Sequence, residues 1–318
     1  MRVYDGVFTP AACALLHTAA CSRGLGHNLF HRAEPRSVIE AALDSFLDEI
    51  DDQSPYCEFW SRQEWKHIEA HADVDERRAA ALPKEPLRFP TNGHVLYLSV
   101  GSRVRGPTCV WEPDGSASQF GALATVPAVE GRVLRFDGHL QHAVPKPADV
   151  WLAPFAINPS GTPEELVRSV ILFNTWDEPP LDVVREAESN SGDDVGAARC
   201  APRSSWAEAP EQRRPAPGES GCSGATKTMK LWLLGDEVRR GRPERTLPLQ
   251  VDGAAVLAAL DETSTVTHLA PASAAAAAGA AAPAPPPASR ATALAAALQR
   301  AAEQRKAAAA SSSSADES

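Results

Sequence analysis

The sequence predicts a mainly β domain with flanking helices, an α+β chain whose strands close into a sandwich or barrel. Three observations predict it. Between Tyr56 and Trp176, short apolar runs alternate with Gly, Pro and Asp. Two segments with helical spacing of apolar residues precede that stretch. Beyond residue 270 the chain becomes an Ala/Pro/Ser tract, a composition that builds no packed core.

The elements follow in chain order. Thr9-Pro10 reads as a helix cap followed by a first-turn proline, opening a short helix through Ala20. A second helix starts near Pro35, with Ile39, Leu43, Phe46, Leu47 and Ile50 on its buried face. Asp51-Asp52 and Ser54-Pro55 end it, so the helical part covers 9–52. His94 to Val100 and Thr108 to Trp111 read as strands. Ala128 to Val133 suggests a tight hairpin, with Gly131 free to take positive φ. Arg168 to Trp176 reads as a long buried strand. The β part then spans 56–176, inside a first domain of residues 1–183.

Residues 184–226, rich in Ser, Gly, Glu, Arg and Pro, are expected to form a flexible linker or long loop. Met229 to Leu234 reads as one more strand and Val251 to Leu260 as a short helix. The segment 227–268 is expected to pack back on the first domain, and 269–318 to be a disordered tail. Within that tail, alanine favours a lone helix over Arg290 to Lys306, with nothing to pack against.

Composition excludes several function classes. The chain has 318 residues and a formal net charge of −10, and its one dense basic spot is Arg239-Arg240-Gly241-Arg242. Nucleic acid is therefore not the expected partner, because phosphate binding needs clustered Lys and Arg. No apolar run reaches the length of a bilayer span, so no membrane insertion is expected. The 6 cysteines form no CxxC pair, which argues against a structural zinc site. The N-terminus lacks the apolar core of a signal peptide, and a cytoplasmic location with reduced thiols is the expectation.

The chemistry centres on His71-Ala72-Asp73. Residues two apart on a strand share a face, so both side chains could reach one metal ion. Alone, this tripeptide is weak evidence, because a surface His and Asp produce it by chance. A strand pattern from Gly131 to Phe136, running on to His142, adds a second imidazole. Two imidazoles and one carboxylate on one face of a metal suit non-haem Fe(II), leaving positions for O2 and a bidentate co-substrate. Arg168 heads an apolar strand and needs an anionic partner. Beside such a triad, a bidentate pair with a dicarboxylate explains it better than a structural salt bridge.

These motifs, in this order, resemble the Fe(II)/2-oxoglutarate-dependent dioxygenase superfamily, and within it the prolyl 4-hydroxylase-like group. The matching elements are His71-Ala72-Asp73, Val95-Leu96-Tyr97-Leu98, Arg105-Gly106-Pro107-Thr108, Phe136 through His142, and Arg168, across residues 56 to 176. The resemblance implies a double-stranded β-helix of the jelly-roll, cupin-like kind. It implies Fe(2+) at His71, Asp73 and His142, and 2-oxoglutarate held through its distal carboxylate by Arg168. Tyr97 matches a tyrosine that in some relatives bonds the same carboxylate; a core strand position is its other reading. O2 completes the cofactor set, with ascorbate as an accessory reductant. The implied substrate is peptidyl, with proline the group's own example, or a small molecule.

The chain departs from the group in two places. Arg168 follows His142 only after Pro145 to Glu165, a longer connection carrying Trp151, Phe155 and Pro159, which could be a lid, a substrate contact or simply a loop. Glu69 stands where a tyrosine is common. His139 competes with His142 as ligand, and the spacing from Phe136 favours His142. His67 is expected behind the metal ligands or on the surface, and Asp75 and Glu76 in the loop after the strand. Asp73-Val74-Asp75 also matches the DxD of metal-dependent glycosyltransferases, but no other feature supports a nucleotide-sugar site. The rival readings are a barrel of the same shape that binds metal or ligand without catalysis, and a scaffold acting through its Ala/Pro tail.

Overall fold

A computed structural model of the chain describes residues 1–23, 26–65, 68–104, 107–113, 120–145, 164–185, 200–203, 205–214, 226–234, 245–252 and 258–270. Side chains of Glu69, of 113, 120, 121, 164 and 214, and of the strands at 226–234 and 245–252 are not among those described. All described residues belong to one compact unit, Met1–Ser273.

The chain opens with β1 (Arg2–Asp5) and α1 (Pro10–Ser22). Thr9 caps α1, its hydroxyl accepting from Ala12 N at 3.1 Å, and Pro10 takes the first turn as its missing N–H allows. After β2 (Asn28–His31) comes α2 (Val38–Glu49). Its cap is Ser37, whose hydroxyl accepts from Glu40 N at 3.2 Å, while Glu40 Oε2 accepts from Arg36 N at 2.7 Å. That reciprocal pairing starts the helix a few residues after Pro35. Ile39, Leu43, Phe46 and Leu47 are buried as the periodicity requires.

The strands that follow are β3 (Tyr56–Glu64), β4 (Ile68–His71), β5 (Asn92–Val100), β6 (Thr108–Pro113), β7 (Phe120–Val126), β8 (Val133–Asp137), β9 (His142–Val144) and β10 (Val167–Trp176). A short helix, α3 (Glu76–Ala81), interrupts them; Asp75 caps it and Glu76 begins it, so neither sits in a plain loop. Then come β11 (Ala207–Glu208), β12 (Glu211–Arg214), β13 (Thr226–Leu234), β14 (Arg245–Asp252) and β15 (Val266–Leu269).

Among the described residues these strands form two sheets. One has the order β11-β1-β8-β5-β10-β3-β2, the other β12-β15-β7-β6-β9-β4-β13-β14. Alternation along β5 shows how the layers stack. Leu96 and Leu98 join Leu16, Leu43, Phe46 and Leu47 in a core between the first sheet and the two long helices. Val95 and Tyr97 point the other way and pack with Val110, Val126 and Val266 of the second sheet. The fold is thus a β-sandwich with the two long helices on one outer face. Each fully buried Leu or Phe in these cores contributes about 2 kcal/mol.

Three expectations are corrected. Ala128 to Val133 is no hairpin: β7 pairs with β6 and β15, β8 with β1 and β5, so the chain crosses between sheets there. Gly131 does take φ +76°, but the turn serves that crossing. The stretch 184–226 is not all linker: β11 pairs with β1, β12 pairs with β15, and Cys200 and Ala209 are buried. Edge pairing through the backbone leaves no mark in composition. Val251 lies in β14 rather than starting a helix, with only 258–260 helical among the described residues of that segment. Further along the chain, β13 pairs with β4, and β15 with β7. The Pro145 to Glu165 connection, apart from its ends, and the tail beyond 270 lie outside the described residues.

Candidate metal centre and cavity

Strand register brings the two histidines together. β4 and β9 run antiparallel, and His71 lies directly opposite His142. Their rings are 4.3 Å apart between centroids, tilted by 49°. Asp73 lies just past the end of β4, rather than on the strand itself. Its Oδ1 is 3.5 Å from His71 Nε2 and 3.9 Å from His142 Nε2. One ligand atom from each of the three residues lies within 4.8 Å of the others, a spacing that a single ion could bridge.

The protonation states suit metal binding. His142 is 6% exposed, and burial pushes its imidazole down to about 4, so the ring is neutral at physiological pH. Its Nδ1 lies 3.3 Å from the Leu140 carbonyl, an acceptor only, which assigns the proton to Nδ1 and the lone pair to Nε2. Burial works against ionisation of Asp73, but His142, His71 and the Asn174 amide outweigh it and hold the carboxyl well below its usual range. Asn174 Nδ2 donates to Asp73 Oδ2 at 3.1 Å.

Arg168 sits near the start of β10, 3% exposed. The pairing with β5 shifts register just after it, between Ser169 and Val170, where β5 carries the extra residue Leu98. Arg168 donates from Nη2 to Thr108 Oγ1 at 2.9 Å, and the Tyr97 hydroxyl is 2.7 Å from the same oxygen. The guanidinium carbon stands 5.2 Å from the Tyr97 ring centroid. Burial pulls the Arg168 pKa below its ordinary value, with Tyr97 opposing.

A cavity of about 830 Å3 joins these parts: His71, Asp73, His142, Thr108 and Arg168 all line it. Its wall includes Trp60, on which the His27 ring lies at 4.4 Å and 6°, with His27 Nδ1 2.7 Å from Glu58 Oε1. Trp176 Nε1 donates to the other Glu58 oxygen at 3.0 Å.

Of the residues singled out in the sequence, His71, Asp73, His142 and Arg168 meet in this cavity. Tyr97 does not line it. It is fully buried behind Arg168 and Thr108. His139 is exposed and paired with Asp137 at 3.0 Å, away from the triad. His67 and the dense basic spot at 239–242 lie outside the described residues. Sequence reasoning missed the roles of Asn174 and Thr108, and of the His27, Glu58 and Trp60 wall. For Asn174 a signal existed: it shares the strand parity of Arg168, so both face the cavity. Among the described residues, no helix is long and apolar enough to cross a membrane.

No family model matches the chain. No curated protein matches it either. Among solved structures, it is similar to iron-bound HygX from Streptomyces hygroscopicus, at 14% identity over 55% of this chain and 81% of that one, with a TM-score of 0.33. A prolyl-4-hydroxylase from Pseudomonas putida matches at 15% identity over 55% of this chain and 92% of that one, TM-score 0.32. EctD from S. alaskensis matches at 16% identity over 58% and 77%, TM-score 0.32.

Proposed function

We propose that the chain is an Fe(II)- and 2-oxoglutarate-dependent oxygenase of the prolyl 4-hydroxylase-like group, with a double-stranded β-helix at its centre. One observation carries the reading: two imidazoles and a carboxylate converge in a cavity that a buried arginine also lines. The donor set fits Fe(II), with His71 and His142 as imidazole ligands and Asp73 as the anionic one. Arg168 fits the distal carboxylate of 2-oxoglutarate, since its planar fork can pair both oxygens.

When bound, iron and co-substrate supply the oxidising chemistry, consuming O2 and releasing succinate and CO2 as the substrate is hydroxylated. The chain's own residues bind and orient. The neutral His142 offers its Nε2 lone pair, and Asn174 holds one oxygen of Asp73. Thr108 accepts from Arg168 and so fixes the direction of the fork. The His27 ring, stacked on Trp60, gives the wall of the cavity a polar edge against which a peptidyl or small-molecule substrate would lie.

The test is succinate release from the purified protein given Fe(II), ascorbate and 2-oxoglutarate. Wild type is expected to release succinate, and His71→Ala and His142→Ala to lose both release and iron. Equal release from all three would refute the assignment. Iron binding by wild type without any succinate would favour the non-catalytic binding barrel.

A further inference from the structure

We propose that Asn174 is a positioning residue that makes Asp73 bind metal through one oxygen only, an inference that rests on the metal centre proposed above. Asp73 lies past the end of β4, so its carboxylate is not aimed by a strand pleat. What fixes it comes from the other sheet. Asn174 is 3% exposed on β10, opposite Gly93 of β5 and Glu58 of β3. An ionised carboxylate only accepts, so the 3.1 Å contact to Oδ2 must be the amide Nδ2–H donating. The amide oxygen then sits over Gly93. A Cβ on Gly93 would lie at ordinary contact, 3.5 Å, from that oxygen but 2.7 Å from the Phe136 ring, so the bare backbone there accommodates Phe136.

The two carboxylate oxygens therefore differ. Oδ2 is engaged by Asn174, while Oδ1 faces both imidazoles at 3.5 and 3.9 Å. The difference matters for an oxygenase. Two histidines and one carboxylate oxygen leave room for a co-substrate bound through two atoms and for O2. If both carboxylate oxygens chelated the ion, one of those positions would be lost. Asn174 holds the second oxygen away and keeps that position open.

The test uses Co(II) as the probe, titrated into the full-length metal-free protein, with the visible Co(II) spectrum recorded alongside. Asn174→Leu keeps the branching at Cγ and removes the donor; Asn174→Ser gives a second, smaller variant should the first fail to fold. Both are expected to bind Co(II) about 10–100-fold more weakly, with an altered spectrum as the coordination changes. Thr175→Val, next to Asn174 on β10, is the structural control: it removes a buried 3.4 Å contact from the Thr175 hydroxyl to Asp52 without touching Asp73. It is expected to lower stability and leave Co(II) affinity and spectrum unchanged. Wild-type affinity and spectrum in both Asn174 variants would overturn the proposal, as would an equal loss in Thr175→Val. Wild-type protein that binds Co(II) no better than His71→Ala would instead refute the metal centre itself, and this proposal with it.

Discussion

Arg168 shows how much a single residue carries. Its guanidinium is buried beside Thr108 and Tyr97, where an anion binds far more tightly than it would in water. Arg168→Ala is expected to raise the 2-oxoglutarate concentration needed for half-maximal succinate release by at least ~10-fold, since charge-assisted hydrogen bonds contribute about 1.5–3 kcal/mol each. Iron affinity should persist. Loss of iron with an unchanged co-substrate requirement, measured by equilibrium dialysis and a succinate assay, would refute its role. At this scale the sequence was informative where residue type and strand parity suffice. His71, Asp73, His142 and Arg168 could be named from chemistry and order. For Asn174, parity with Arg168 gives the face it lies on but not its role, because an asparagine in an apolar strand has many readings until its partner across the sandwich is known.

At the scale of elements, register does the work that spacing cannot. β9 holds only His142–Val144, yet pairing between β4 and β6 sets His142 opposite His71. The turn before β8 is equally constrained. Gly131 has φ +76°, and a Cβ there would lie 2.6 Å from the Phe8 carbonyl oxygen. Gly131→Ala is expected to cost about 2 kcal/mol or more, combining left-handed strain with a backbone clash. Urea unfolding would show the change as a lower midpoint, and an unchanged midpoint would contradict this account of the turn. The sequence marked this glycine but misread its turn as a hairpin. A tight turn between strand-forming runs looks the same whether the next strand pairs back or crosses to the other sheet. β11 and β12 were missed for a related reason, since both are short edge additions to existing strands.

Across the whole molecule, Asp52 ties distant parts of the chain together. Its carboxylate accepts from Ser54 N at 3.0 Å, Asn92 Nδ2 at 3.0 Å and Arg135 Nη2 at 3.1 Å. Burial opposes its ionisation, but Ser54, His94 and Arg135 prevail and lower its pKa. The neighbouring His94 is lowered as well, by burial foremost. A depressed carboxylate stabilises the fold above its unfolded pKa, and that contribution is lost as pH falls through the folded value. A depressed histidine has the same sign, with its loss beginning below the unfolded value near ~6.5. Thermal stability should therefore decline from about pH 6.5 downward and fall more steeply below ~4. Asp52→Asn should cost about 2–3 kcal/mol at neutral pH, because Arg135 loses a buried partner, and should flatten the acid limb. A melting temperature that stays level from pH 7 to 4 would contradict this.

The central claim joins two halves of one cavity, a metal triad and an arginine, and metal-dependent binding of 2-oxoglutarate tests both together. Calorimetric titration of 2-oxoglutarate into protein kept anaerobic with Fe(II) should show one site. That site should be weak or absent without metal, in His71→Ala and in Arg168→Ala. Equal 2-oxoglutarate affinity with and without metal, or in His71→Ala, would contradict the account.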